Sequence, residues 1–265
     1  MAEGEITPLA LETYGPVNPK MNTVLSEILK TGLTVSGDGN ETTRVHSSIS
    51  QEEGEFLQWL IREVDPTISL EVGLAYGVSA LFICDALKRQ SETKHIVIDP
   101  VQRSAWQGIG IANLRRAGYG SIVTLMESPS YRALAELERS GQRIDFAFID
   151  GNHTFDFVLV DFFFIDRMLN IGGMVVLDDA NWPSINKVCR FVATNLCYTV
   201  VAEHPPTRIP LKYRVLEHLA RNWPLRKVMK PEIVVPNEKL GLGVSCVAFR
   251  KVSDDRRRWD HFKTF

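Results

Sequence analysis

The sequence predicts a doubly wound α/β sheet, mostly parallel, with helices on both faces. Three observations point there. Strand-like and helix-like segments alternate from residue 68 to residue 204. The strand segments, such as "IDFAFI" and "GGMVVL", are continuous apolar runs, which marks strands covered on both sides. The segments between them carry the helical period, as right-handed crossovers between parallel strands require.

Taken in order, residues 1–20 hold three prolines and two glycines and predict an irregular arm. "MNTVLSEILKTG" has apolar residues at 21, 24, 25, 28 and 29, a helix that Gly32 should stop. "SGDGNETTRVHSS" is polar and predicts a loop. "SISQEEGEFLQWLIREV" opens on Ser50 with Glu53 three residues later, a capping-box pattern, and should run as a helix to Val64. Strand and helix then alternate through "ISLEVG", "SALFICDALKRQ", "HIVIDP", "SAWQGIGIANLRRAG", "SIVTLMES", "YRALAELERSG", "IDFAFID", "FDFVLVDFFFIDRML", "GGMVVLDD" and "PSINKVCRFVATN". "YTVVAEH" and "VSCVAFRKV" close the chain as strands, with an insertion over about 205–243 between them that is helical at 211–222 and could turn the last strand antiparallel. The organisation expected is an arm and helix over 1–45, a lid or oligomer contact, and one domain over 46–265.

With 265 residues, 45% hydrophobic, one large core is affordable. No apolar run approaches the ~20 residues of a membrane helix, and the first residues lack a secretory pattern. Four scattered cysteines without a CxxC pair read as free thiols of a reducing, cytoplasmic setting. A net charge of −2 predicts neither a nucleic-acid nor a membrane partner. From Glu203 onward 14 Lys or Arg face 7 Asp or Glu, which reads as a solvated basic surface or as an anionic-partner patch.

Ligands of such sheets bind at the C-terminal strand ends, so those ends carry the chemistry. "LEVGLAYGVSA" places Glu71 before Gly73 and Gly77. The spacing is not GxGxxG, and it suits a ligand with an ammonium group better than a pyrophosphate. Asp99, 22 residues after Gly77, is positioned for ribose hydroxyls or for a helix cap before Pro100. Trp106 could stack on an adenine or pack in its helix. Glu127 and Ser128 could meet a base edge. Asp150 ends the "IDFAFI" strand, and Asp178 and Asp179 end the next one, 28 and 29 residues later. Neighbouring strands lie about 4.8 Å apart, so three carboxylates converge. They cannot all stay ionised without compensation, and a hard divalent cation (Mg²⁺, Mn²⁺ or Ca²⁺) on Asp150, Asp178 and Asp179 supplies it, with a further oxygen available from Asn181. The alternative is helix capping by the Asp pair. His153 follows on the same loop as a general base, or as a cap for the next helix.

These motifs resemble those of the class I S-adenosylmethionine-dependent methyltransferases, and within them the metal-dependent O-methyltransferases that act on catechols, caffeoyl-CoA and macrocin- or novobiocin-type sugars. The resemblance covers about residues 46–202 and the strand near 245–252. It is carried by "LEVGLAYGVSA", "VIDP" and "FDFVLVDFFFIDRMLNIGGMVVLDD". It implies a Rossmann-like seven-stranded sheet with an antiparallel last strand. It also implies an S-adenosylmethionine site formed by Ser48, Glu71, Gly73, Tyr76, Gly77, Ser79, Asp99, Trp106, Ser128 and Asp150, with Glu71 or the adjacent backbone at the methionyl end. Metal ligands carry over onto Asp150, Asp178 and Asp179. Two features depart from the catechol and caffeoyl-CoA pattern: Asp178-Asp179 replaces Asp-Asn, and His153 stands where a lysine is common. Both lean towards sugar or natural-product acceptors.

The expected reaction is direct methyl transfer to one hydroxyl of a small vicinal diol or catechol-like acceptor. The metal would activate that hydroxyl, and His153 or Asp150 would take its proton. The N-terminal arm and the insertion would roof the site, and a homo-oligomer is compatible with the arm. A metal-independent methyltransferase of amines or carboxylates and a non-catalytic cofactor-binding domain remain alternatives. A nicotinamide dehydrogenase is disfavoured by the missing GxGxxG and by the lack of a Tyr-xxx-Lys pair.

Overall fold

The computed structural model describes residues 21–36, 39–88, 92–205, 237–261 and 263–265. The expected arm over 1–20 and the expected helix at 211–222 lie outside the described residues, as does any roof they form.

The chain opens with α1 (Thr23–Thr31), a hairpin of β1 (Leu33–Val35) and β2 (Thr42–Arg44), and α2 (Gln51–Val64). Seven sheet strands follow with their helices: β3 (Ile68–Val72), α3 (Val78–Leu87), β4 (Lys94–Ile98), α4 (Ile109–Arg116), β5 (Val123–Met126), α5 (Ser130–Arg139) and β6 (Ile144–Ile149). Next come α6 (Phe155–Met168), β7 (Leu169–Leu177), α7 (Pro183–Asn195), β8 (Tyr198–His204), the single turn α8 (Asn237–Leu240) and β9 (Cys246–Lys251). The sheet order is β5-β4-β3-β6-β7-β9-β8. β9 runs antiparallel to β7 and β8, and the other pairings are parallel.

The local signals act as their chemistry dictates. Asn22 caps α1 by accepting from the Val24 N–H, and Gly32 ends it at φ 68°. Ser50 and Glu53 close the expected capping box on α2, satisfying two backbone donors that would otherwise be orphaned. Gly54 lets α2 settle on α3, because a Cβ there would lie 2.2 Å from the Phe82 ring. Two expectations shift. The "SGDGNETTRVHSS" loop contributes β2, paired with β1. The helix expected from Ser104 begins only at Ile109, after Gln107 (φ 52°) and Gly108 (φ 69°) break the backbone into the left-handed region, so Trp106 sits in a turn.

One apolar cluster buries Leu25 and Ile28 of α1, Phe56 and Leu60 of α2 and Phe82 of α3 against one face of the sheet. A second buries Leu134 of α5, Phe162 and Ile165 of α6 and Val188 of α7 against the other. Each fully buried aliphatic or Phe side chain contributes about 1.5–3 kcal/mol over its exposed state.

Register sets up the site. Val72 of β3 pairs with both Ile98 of β4 and Ile149 of β6, and Ile149 pairs with Leu177 of β7. The residues that follow form the next row: Gly73, Asp99, Asp150 and Asp178. Backbone bonds from Gly73 N–H to Ile98 O (2.9 Å), Asp150 N–H to Val72 O (2.9 Å) and Asp178 N–H to Ile149 O (3.1 Å) extend the ladders one step and hold that row level. β3 lies between β4 and β6, so the connections leave in opposite directions there, the point at which open α/β sheets hold ligands.

Asp161 is a conflict inside the fold. It lies in α6 at 1% exposure, and neither carboxylate oxygen has a hydrogen-bond partner of good geometry. Burial raises its pKa from 3.8 to about 6, and the nearby Ser130 hydroxyl offsets only part of this. An acid with a raised folded-state pKa binds its proton more tightly folded than unfolded. The resulting destabilisation is absent below about pH 4, grows as pH rises and is complete above about pH 6, where it amounts to at most about 3 kcal/mol. Asp161→Asn is therefore expected to raise Tm by about 5 °C or more at pH 8 and to leave it unchanged near pH 3.5, as calorimetric scans of both proteins at the two pH values would show.

Candidate active site

The strand-end row opens into a cavity of about 650 Å³, a size suited to a small organic ligand. Its floor is the β3–α3 turn from Gly73 to Tyr76. Gly73 is required there: φ is 94°, and a Cβ would lie 2.0 Å from the carbonyl oxygen of Asp150. The two loops thus touch through backbone, which brings Asp150 beside the glycine turn. Three other cavity-lining residues also hold left-handed backbone without being glycine: Ser47 (φ 51°), Ala75 (φ 46°) and Asp179 (φ 49°). Strain of this kind gathers at functional sites.

Asp99 fastens the turn. Its Oδ2 accepts from the Leu74 and Ala75 N–H groups at 3.2 and 3.1 Å, and its Oδ1 accepts from Val101 N–H at 2.9 Å. It is 3% exposed yet lines the cavity, so it caps the turn while keeping lone-pair capacity on Oδ1 for a ligand hydroxyl. At the rim, Tyr76 hydrogen-bonds His46 through its hydroxyl at 2.9 Å and meets the Trp106 ring edge-on at 5.2 Å. Tyr76, Trp106, Gly73, Ser79 and Ser48 all line the cavity.

Five expected contacts are placed differently. Glu71 does not line the cavity. It is fully buried, accepts from the Ser79 hydroxyl, and pairs with His95 Nε2 at 2.9 Å, while His95 Nδ1 meets Ser69 Oγ at 2.9 Å. The cause is the pleat: successive strand side chains face opposite ways, and Glu71 faces away from the opening. Ser128 also stays outside, with Pro129 and Ser130 on the wall in its place, and Glu127 is taken by Arg103, which pairs with it at 2.9 Å. Gly77 acts through α3, as its N-cap at φ 78°, rather than on the wall. Asn181 is likewise absent from the lining.

The far end of the cavity holds the acids. Asp150, Asp178 and Asp179 line it, joined by Glu53 of the α2 capping box, whose Oε1 accepts from Ser245 Oγ at 3.0 Å. With Asp99, five carboxyl groups face the cavity, and no Lys or Arg stands among the described residues of its lining. The energetic consequence is a raised pKa at Asp150, Asp178 and Asp179. Burial raises Asp178 to about 8, with the charges of Asp150 and Glu53 adding to it. Burial also raises Asp150, opposed by His153, and Asp179, again opposed by His153. Deprived of a counter-ion, such a cluster binds protons instead.

His153 is the cationic candidate inside it. Its Nε2 lies 3.0 Å from Asp179 Oδ2 and 3.4 Å from Asp150 Oδ1. Contact with Asp150 raises its pKa, burial opposes that, and the charges of Asp150 and Asp179 reinforce it. Neither contact has hydrogen-bond geometry, and Nε2 is buried without such a partner. Ligating atoms of Asp150, His153 and Asp179 lie within 4.8 Å of one another, a donor set that fits a divalent cation. Among the described residues no such set includes Asp178, so the expected Asp150–Asp178–Asp179 triplet is not what the geometry assembles. Trp182, 50% exposed on the lining and 5.2 Å from the His153 ring, adds an apolar plate beside the cluster. Glu53, Ser130 and Trp182 had no motif of their own: one was spent on a cap, one opens a helix, and one lies beyond the Asp pair.

Comparison with known proteins agrees with this fold. Residues 70–180 match the family described as "Methyltransferase domain". The chain is 24% identical over 168 residues to tapetum-specific methyltransferase 1 of Arabidopsis thaliana, covering 62% of this chain and 66% of that protein, just under two thirds of its length. It is 22% identical over 223 residues to a caffeoyl-CoA O-methyltransferase of Populus kitakamiensis, covering 80% and 83%. In fold it is similar to an O-methyltransferase from Bacillus cereus solved in complex with SAH, at TM-score 0.57 and 18% identity over 69% of this chain and 84% of that one. It is also similar to the O-methyltransferase TomG from Streptomyces achromogenes, involved in tomaymycin synthesis and solved with SAM, at TM-score 0.55 and 18% identity over 68% and 82%.

The close approach at Gly73 is testable. Gly73→Ala is expected to destabilise the protein by about 2 kcal/mol or more, because positive φ and the clash with Asp150 act together. Gly108→Ala, with positive φ but nothing within 4 Å of the added Cβ, should cost less; a denaturant titration of the two variants would show the difference.

Proposed function

We propose, from the premise that this chain belongs to the class I S-adenosylmethionine-dependent methyltransferases of the O-methyltransferase group, that it methylates one hydroxyl of a small vicinal diol or catechol-like acceptor with the help of a divalent cation. The observation that carries this is the charge of the cavity: five carboxyl groups, no described Lys or Arg, and a cluster of ligating atoms at one end. Such a wall repels phosphates and favours a cationic cofactor. S-adenosylmethionine, with its sulfonium and ammonium groups, meets that requirement and supplies an already activated methyl group.

The residues divide the work by position. The Gly73–Tyr76 turn, tied down by Asp99, offers backbone at close range, and Asp99 Oδ1 keeps capacity for a ribose hydroxyl. Tyr76 and Trp106 wall the end where a flat base fits. Asp150 stands between this turn and the acid cluster, so the methyl donor and the acceptor meet beside it. Asp150 and Asp179 would hold a divalent cation there, and it would supply Lewis-acid chemistry that lowers the pKa of an acceptor hydroxyl. The acid cluster takes up the released proton, and Trp182 and Phe157 supply apolar surface for the acceptor ring. Most of the acceleration is orientation of two bound reactants.

Calorimetric titration with S-adenosylmethionine, with and without Mg²⁺ or Mn²⁺, followed by a screen of catechols and sugar diols, tests the proposal. Cofactor binding and chelator-sensitive methylation are expected. Asp150→Asn should lower kcat by about 100-fold or more, in keeping with loss of a positioned electrostatic group. Failure to bind the cofactor sinks the whole reading, whereas methylation indifferent to chelator and to Asp150→Asn sinks the metal. Trp182→Ala should raise the acceptor's KM about tenfold and leave that of the cofactor unchanged, as initial rates on both substrates would reveal.

A further inference from the structure

We propose that His95 is a positioning residue for the cofactor. Acting through Glu71, it holds the Ser79 hydroxyl in the orientation that accepts a hydrogen bond from the ammonium group of S-adenosylmethionine. This rests on the cofactor reading above and is independent of the metal.

Four polar side chains form one line behind the cavity. Ser69 Oγ meets His95 Nδ1 at 2.9 Å, His95 Nε2 meets Glu71 Oε2 at 2.9 Å, and Glu71 Oε1 accepts from the Ser79 hydroxyl. Ser69, His95 and Glu71 are fully buried, and of the four only Ser79 lines the cavity. Register builds the line. Ser69 of β3 stands opposite His95 of β4, and Glu71, two residues on, shares their face of the sheet. Val97, two residues after His95, belongs to the apolar cluster beneath α2 and α3, so the line runs through hydrophobic core.

Stability does not call for this arrangement. Strands covered on both sides take apolar residues, and exchanging a buried charged pair for well-packed apolar side chains is often neutral or stabilising. The line has its effect at its open end. A serine hydroxyl carries one proton and two lone pairs. Ser79 gives its proton to Glu71, so it turns only acceptor capacity towards the cavity. Its ligand is therefore a donor, and the carboxylate behind it favours a cationic one. The ribose hydroxyls have Asp99 and the flat base has Tyr76 and Trp106, which leaves the ammonium group for Ser79.

Glu71 directs Ser79 only while its own carboxylate is fixed. A carboxylate accepts and does not donate, so His95 Nε2 carries the proton between them and holds the second oxygen in place. Ser69 steadies the same ring at Nδ1. With an apolar residue at 95, Glu71 would be buried with Ser79 as its one partner, and the hydroxyl would lose its fixed direction.

The experiment measures, by calorimetry on the full chain, the binding of two probes. S-adenosylhomocysteine carries the ammonium group, and 5′-methylthioadenosine lacks the whole amino-acid end. Wild-type protein is expected to bind both. His95→Leu should lose about tenfold or more in affinity for S-adenosylhomocysteine, the scale of one hydrogen bond to a charged group, and keep its affinity for 5′-methylthioadenosine. His95→Gln, whose amide nitrogen still donates to Glu71, should restore most of that loss. In wild-type protein with ¹⁵N-labelled histidine, S-adenosylhomocysteine should move the His95 Nε2 resonance and 5′-methylthioadenosine should not, a readout that does not depend on how the variants fold. The proposal is overturned, and the cofactor reading kept, if His95→Leu binds S-adenosylhomocysteine as wild type does or loses both probes alike. The same follows if His95→Gln restores nothing, or if the wild-type resonance is unmoved by S-adenosylhomocysteine. Wild-type protein that binds neither probe overturns both.

Discussion

The structure depends on one electrostatic constraint: acidic side chains held level at the ends of adjacent parallel strands. β-Ladders fix the height of Asp99, Asp150 and Asp178 to within a residue, and the close backbone contact at Gly73 fixes the spacing of the loops that carry them. Strand spacing is not adjustable, so the carboxylates cannot relax apart. The protein can offset their repulsion only by binding protons or by admitting a cation. With burial as the larger cause, that repulsion contributes to the raised pKa values of Asp150 and Asp178, and it accounts for His153 beside two carboxylates and for a cavity suited to a positively charged cofactor.

Architecture and chemistry share residues here. Asp99 ties the glycine turn while facing the ligand space, and Glu53 closes the α2 capping box while lining the acid end. A residue doing both is held rigidly, since its packing and its hydrogen bonds lock the rotamer from behind. Glu71 shows the opposite outcome. Though next to the cavity in sequence, it is turned by the pleat into a buried pair with His95 and reaches the site through Ser79, which lines the cavity and donates to it. The left-handed backbone at Ser47, Ala75 and Asp179 belongs to the same design, because tightly turned loops can deliver side chains where regular strands cannot.

The apolar runs, the helical periods, Gly32 as a stop and the Ser50–Glu53 box were legible in the chain because each depends on neighbours within about one turn of backbone. They determined the order of strands and helices, the two-sided burial of the sheet and, through the alternation, the edge at which Gly73, Asp99, Asp150, Asp178 and Asp179 would gather. Shifts occurred where two left-handed residues, Gln107 and Gly108, delayed α4, and where a polar stretch paired as β2.

Tertiary structure alone decided which of those gathered residues touch. Sequence spacing brings Asp150, Asp178 and Asp179 to one sheet edge but is silent on the side each carboxylate faces. The pleat and the φ of Asp179 set that, and they assemble Asp150, His153 and Asp179 in place of three aspartates. Ser130 and Trp182 became wall residues for the same reason: their positions follow from how helices dock on the sheet, a long-range packing outcome that no local pattern encodes.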